Sequence, residues 1–273
     1  MATLPILPEG QNHGREGPQA GVEARESQAG DRLELELVHE ASVRGLTEAR
    51  RDAVRARSLR EIPWWYNPYA HLASTTGIGL VVLVVSLSRL HGVRWTDLLV
   101  VPVVVLIANF YEWQVHKSVL HKRFWPFEVI YDKHTPMHHM IYVEEDMALR
   151  SAQEFRLILI PAAGVLGIVL AAAPIALGLA WLWSAAAGWL FLLTASLFMV
   201  SYEVLHLCYH APADSFIGRL RLIQVLRAHH ARHHDPRLMQ RYNFNVTVPL
   251  FDWIMGTMAP PRGEARRASN GRA

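Results

Sequence analysis

The sequence predicts an all-α integral-membrane protein in which four transmembrane helices carry a helical cap on the cytoplasmic side. Three observations lead there. Residues 157–202 run for 46 positions without Asp, Glu, Lys or Arg, whereas residues 31–61 are dense in charge. Four segments reach the roughly 20 apolar residues that a hydrocarbon core demands of a helix. Finally, 11 of the 15 histidines fall between residues 116 and 234, in clusters that border those segments. The charged fraction is 19% and the hydrophobic fraction 51%. Soluble domains carry about 25% charge, and disordered chains are far less apolar, so neither a uniform soluble globule nor an ordinary disordered chain fits. The single cysteine, Cys208, excludes an intrachain disulfide framework and any Cys-based zinc module.

Along the chain, residues 1–60 read as a polar N-terminal tail, partly disordered or a surface helix. The first residues have no basic start and no apolar core of useful length, so they do not read as a secretory signal. Within the tail, residues 42–60 have helical character, with a weak apolar stripe of Val43, Leu46, Ala53, Val54 and Leu59 beside many arginines. Such a helix either lies on an anionic membrane surface or is simply solvated. Residues 61–258 form the membrane domain. Its first span covers about residues 70–90, after the interfacial aromatics of WWYNPY at 64–69. The second covers about 96–117. The uncharged stretch is too long for one span and divides into two, near 156–176 and 184–204, with a tight turn over Leu177–Trp183 where Gly178, Trp181 and Trp183 gather. Residues 259–273 read as a basic disordered C-terminal tail.

Orientation follows from the basic residues near the spans. With a cytoplasmic N-terminus, the two far-side turns hold only Arg89 and Arg94 of the 27 Lys and Arg. Lys117, Lys122, Arg123, Lys133, Arg150 and Arg156 then all flank spans on the cytoplasmic side, as the positive-inside rule requires.

The histidines form four clusters: His116 and His121 (H-x4-H), His134, His138 and His139 (H-x3-HH), His206 and His210 (H-x3-H), and His230, His233 and His234 (H-x2-HH). Hydropathy and Lys/Arg placement alone put all four on one side of the membrane, so they are expected to converge. Positions i, i+3 and i+4 share a helix face. His206 therefore points with His210, His134 with His138, and His230 with His233 and His234. His116 and His121, five apart, diverge by about 140° on a regular α-helix. Ten imidazoles exceed the shell of one ion, so the cap is expected to carry a histidine-rich di-metal site. His229 is left open as ligand, hydrogen-bond partner or bystander; His13, His39, His71 and His91 stand outside the clusters. Glu112 and Glu203, at the inner ends of spans where carboxylates are costly, are expected to accept imidazole N–H groups and orient the ligands. Asn243 and Asn245 either hydrogen-bond a metal-bound water or imidazole, or form a turn. Trp253 and Pro249–Phe251 either line a lipid channel or pack at the interface, and the second is expected.

These spacings resemble the fatty acid hydroxylase / sterol desaturase superfamily of integral-membrane di-iron oxygenases. The stretch RYNFNVTVPLFDWIMGT at 241–257 is similar to that family's segment after its last histidine box. Asn243, Phe244, Val246, Thr247, Pro249, Leu250, Asp252, Gly256 and Thr257 match, and Asn245 stands where Gly is frequent. The resemblance covers about residues 70–258. It implies two Fe ions, with Zn as a possible substitute, and O2 as co-substrate for attack on an unactivated C–H bond of a lipid. It implies hydroxylation of a fatty acyl chain, sterol or related lipid, with desaturation by the same centre as the alternative. No His-Pro-Gly-Gly haem motif occurs, so electrons are expected from an external donor, a b-type cytochrome or a ferredoxin with its reductase. No nucleic acid is implied. The expected location is a bacterial inner membrane with the active site facing the cytoplasm. A metal transporter is the reading from another class; it would need polar ligands along a path at the bilayer midplane, and spans one and three supply none.

Overall fold

A computed structural model describes residues 47–261. Helix α1 (Glu48–Arg60) is followed by α2 (Pro68–Ser88) and α3 (Val100–Val115), the latter entered through a 3₁₀ turn at Asp97–Leu99 and continued by a π-helical turn at His116–Leu120. The cap holds α4 (Glu128–Lys133), a second π-helical turn (His134–His138), α5 (His139–Ile141) and a 3₁₀ segment (Ala152–Leu157). Helices α6 (Ala162–Leu182) and α7 (Ala185–Tyr209) form an antiparallel hairpin, followed by α8 (Arg221–His233) and α9 (Leu250–Ile254). No strand occurs among the described residues.

Four helical stretches are long and apolar enough to cross a membrane: Pro68–Ser88, Asp97–Leu120, Ala152–Leu182 and Ala185–Tyr209. At most 33% of the apolar window of any of them is buried within the chain. The rest, including Val81, Val84, Ile107, Leu170 and Leu177, presents apolar surface that only lipid can cover at no cost. This is a multi-pass membrane protein.

Helix α7 is the central element, in contact with α2, α3, α6 and α8. Small residues bring its neighbours close. A Cβ added at Gly188 would lie 2.6 Å from the Ala176 carbonyl oxygen, and one at Gly79 would lie 2.5 Å from Val200 Cγ2. Helix α2 begins where Asn67 Oδ1 accepts from the backbone N–H groups of Tyr69 and Ala70, with Pro68 at the first helical position.

One expectation is corrected. The turn expected over Leu177–Trp183 is helix as far as Leu182, and α7 starts at Ala185. Ser184 makes so short a connection possible. Its Oγ caps α7 by accepting from Ala187 N at 3.0 Å, and donates to Asp97 Oδ1 at 2.8 Å. Arg94 pairs with the same Asp97 and reaches the Trp183 carbonyl, so the two loops at this end are tied together. The third helix is thereby displaced about six residues from the expected 156–176. Helix α1 forms within the stretch expected to be helical and has one packed face, while Glu48, Arg57 and Arg60 stay exposed. Val54 and Leu59 pack against the core of Ile141, Tyr142, Met147, Leu157 and Ile158, and Arg55 is only 3% exposed. Helix α1 is thus packed on the segment that follows the second π-helical turn. Val43, Leu46, His13, His39, most of the N-terminal tail and residues 262–273 lie outside the described residues.

Candidate metal centre

The structure brings all ten clustered histidines together, in two groups of five. His116, His121, His134, His139 and His233 form the first; His138, His206, His210, His230 and His234 form the second. Within each group one ring nitrogen per residue lies within 4.8 Å of every other. All are buried residues except His134, which keeps partial exposure as a residue while its Nε2 joins the cluster. The groups adjoin: the rings of His139 and His234, one from each, stack with centroids 4.2 Å apart.

Local backbone geometry decides the partition. The first group is built on residue pairs five apart, His116 with His121 and His134 with His139. Each pair spans a π-helical turn, whose i→i+5 bonding widens the helix so that residues five apart come onto one side. The second group is built on pairs four apart, His206 with His210 on α7 and His230 with His234 on α8 or its end, the ordinary α-helical face. The doublets then split. Adjacent residues on a helix point about 100° apart, so His138 and His139 serve different groups, as do His233 and His234. The expected divergence of His116 from His121 is thus overturned by the π-turn. So is the pairing of His134 with His138, whose rings stack at 5.3 Å but whose ligand atoms belong to different groups.

Backbone carbonyls orient the rings. A carbonyl can only accept, so its imidazole partner must carry the proton on Nδ1. His116 donates in this way to Phe244, His138 to Leu157, His210 to Met147, His233 to Tyr242 and His234 to Tyr142. His121 Nδ1 lies 3.2 Å from Thr135 Oγ1, whose own proton goes to the Leu120 carbonyl at 2.6 Å, so the hydroxyl accepts from the imidazole. The longer approach of Gln240 Nε2, at 3.5 Å, does not compete. In each of these six rings Nε2 is left as a lone pair facing its group.

The donor set fits metal ions. Nε2 of His121 and Nε2 of His233 are 2.9 Å apart with no proton available to either, so a cation between them resolves the repulsion. In the second group, Nε2 of His138, His206 and His210 are buried without a hydrogen-bond partner. Burial, reinforced by the surrounding imidazoles, holds His121, His134, His138, His139, His210, His230, His233 and His234 well below the usual histidine range. They are therefore neutral at pH 7, which is the ligating form.

The two carboxylates are placed differently from expectation, whereas Asn243 forms the turn that was one of its two readings. Glu112 bonds no imidazole. Its carboxylate accepts from Val246 N, Thr247 N, Thr247 Oγ1 and the Asn245 amide, so it clamps the segment whose Phe244 carbonyl orients His116. A carboxylate at the end of a span is better satisfied by several backbone N–H groups than by one ring. Glu203 accepts from Ile160 N through Oε1, and its Oε2 is buried without a partner. Asn243 adopts φ +58°, donating to the His229 carbonyl and accepting from Ala259 N. It shapes the turn rather than touching a ring. His229 is a hydrogen-bond partner, 3.1 Å from Asp252 Oδ2, and His71 joins Tyr66 to the Ile160 carbonyl. Trp253 is 72% exposed.

Several residues at the centre were given no role by sequence reasoning. Asp252 accepts from Phe244 N and Asn245 N, and Tyr142, Glu154 and Arg55 form a buried set beside the second group. Glu154 left one signal: it is the only acidic residue between Asp146 and Glu203.

A family model described as fatty acid hydroxylase matches residues 101–257, which contain all ten histidines. No curated protein and no solved structure was found to match the chain.

Proposed function

The chain belongs to the fatty acid hydroxylase family, and from that premise we propose that it is a membrane di-iron oxygenase that hydroxylates an unactivated C–H bond of a lipid. The observation that carries this reading is the pair of five-histidine groups at one end of an apolar helical bundle. The first group would hold one iron and the second the other. When bound, the iron pair supplies activation of dioxygen and the oxidising power for the C–H bond, which side chains alone cannot provide.

The chain's own residues do the rest. Carbonyls of segments 142–157 and 242–244 hold the protons of five imidazoles on Nδ1, keeping those five Nε2 atoms directed inward. Nitrogen ligands suit an oxidising centre, whereas a thiolate would itself be oxidised; Cys208 is not in either group. Buried Tyr209 and Phe244 help exclude water from the rings. Glu203, one turn before His206 with Oε2 unpartnered, is the carboxylate best placed to hold a proton at the end of a span. The lipid face of the helices offers the substrate a route from the bilayer. We assign the cytoplasmic side of a bacterial inner membrane to the metal centre, on the distribution of Lys and Arg, and an external one-electron carrier as its reductant.

The test is expression in iron-supplied membranes under labelled dioxygen with a reductase system, followed by lipid analysis. Label in a hydroxylated lipid supports the proposal. Loss of two hydrogens without label identifies a desaturase. No change in any lipid, in membranes where the iron-loaded chain is present and reduced, contradicts both.

A further inference from the structure

The proposed function uses the ten histidines and leaves a buried ionic set unused. Arg55 of α1 is 3% exposed, and Glu154 and Tyr142 are fully buried. Arg55 Nη1 donates to Glu154 Oε2 at 2.7 Å, and the Tyr142 hydroxyl donates to the same oxygen at 2.7 Å. Arg55 Nη2 reaches the Ile141 carbonyl, its guanidinium lies over the Tyr142 ring with 5.1 Å to the centroid, and Arg150 N donates to Glu154 Oε1. Removing two charges from water is costly and is repaid only by close pairing. A set so placed is expected to hold something in position.

What it holds is the support of one metal group only. Three carbonyls orient the second group: Tyr142 for His234, Met147 for His210 and Leu157 for His138. All three belong to residues 142–157, and Glu154 pins that segment from within, at Tyr142 and at Arg150. The Tyr142 ring also walls the group, with centroids 4.5 Å from His210 and 5.2 Å from His138. The first group takes its carbonyls from Tyr242 and Phe244, in a different segment clamped by Glu112 and Asp252. Each group thus has its own carboxylate-pinned backbone support.

We propose that Arg55 and Glu154 are positioning residues for the second histidine group alone, and that helix α1 is the strap that completes that metal site. This rests on reading each group as one metal site. A strap from outside the four spans makes the second ion dependent on α1 docking, while the first ion depends on the C-terminal segment.

The test is titration of the detergent-solubilised full chain with Co²⁺. Wild type should take two ions. Arg55→Met and Glu154→Gln should weaken one of them by about 10–100-fold, as loss of a ligand's supporting partner does. Two backgrounds tell which one. With the first group crippled by His121→Ala, adding Arg55→Met should weaken the remaining ion. With the second crippled by His206→Ala, adding Arg55→Met should leave the remaining ion unchanged. Should Arg55→Met fail to insert, Tyr142→Phe removes one hydrogen bond and no charge, and should give the same asymmetry. Equal weakening in both backgrounds would mean general structural damage and overturn the proposal, as would two wild-type affinities in the Arg55 and Glu154 variants. A wild-type chain that takes fewer than two ions overturns the reading of function first, before any variant is compared.

Discussion

His138, His139, His206, His210, His233 and His234 are all buried, each with a ring nitrogen inside a group of five. Changing any of them singly to Ala is expected to abolish lipid oxidation while the chain still inserts, because insertion depends on apolar helices that the change leaves intact. Full activity in two of the six variants contradicts the ligand assignment. His71→Ala is expected to be tolerated, since its ring bonds Tyr66 and Ile160 and meets neither group. For Glu112 the route to the metal site runs through the backbone and not through an imidazole. Glu112→Ala frees the N–H groups of Val246 and Thr247, loosens the segment that orients His116, and should cost about 10–100-fold in metal affinity; unchanged affinity would show that the segment holds without it. The identities of the ten histidines were legible in the sequence because spacing and sidedness coincided. Their orienting partners were not, because five of them are backbone carbonyls and a carbonyl has no sequence signature.

Hydropathy found the four spans, but it could not see where the elements end. The α6–α7 turn was misplaced because Gly178 and the tryptophans read as a break, whereas Gly178 lies in open surroundings inside the helix and Ser184 sets the true end. The π-turns at His116–Leu120 and His134–His138 were invisible for a related reason: a spacing of five only makes sense once the helix is known to widen there. The docking of helix α1 was not legible because its apolar stripe is short and the decisive buried residue is an arginine. Close approach within the hairpin gives a test at this scale. Gly188→Leu puts a Cβ 2.6 Å from the Ala176 carbonyl oxygen and 2.9 Å from Ala180 Cβ, so α6 must move away. Overpacking of this kind typically costs about 1–3 kcal/mol, to be read as a lowered Tm in detergent. An unchanged Tm would mean that the hairpin is looser than its geometry indicates.

For the molecule as a whole, topology and acid response are both open to measurement. Reporters after residue 92 and at the Trp183–Ser184 junction are expected outside, and reporters at 140 and 270 inside; a cytoplasmic signal at the junction contradicts the four-span arrangement. The buried imidazoles, held below the usual value of 6.5 by desolvation, set the pH response of the metal-free chain. Below about pH 6.5 the unfolded chain binds protons that the folded chain refuses, so stability falls as pH drops. Metal-free protein should therefore melt at a lower temperature at pH 5 than at pH 7, and a flat profile would mean that the rings are already solvated. Above these stands the count of ions. Elemental analysis of folded, metal-supplemented protein should return close to two metal ions per chain, iron or zinc, one for each group of five histidines. One ion per chain or fewer in such a sample would contradict the di-metal centre.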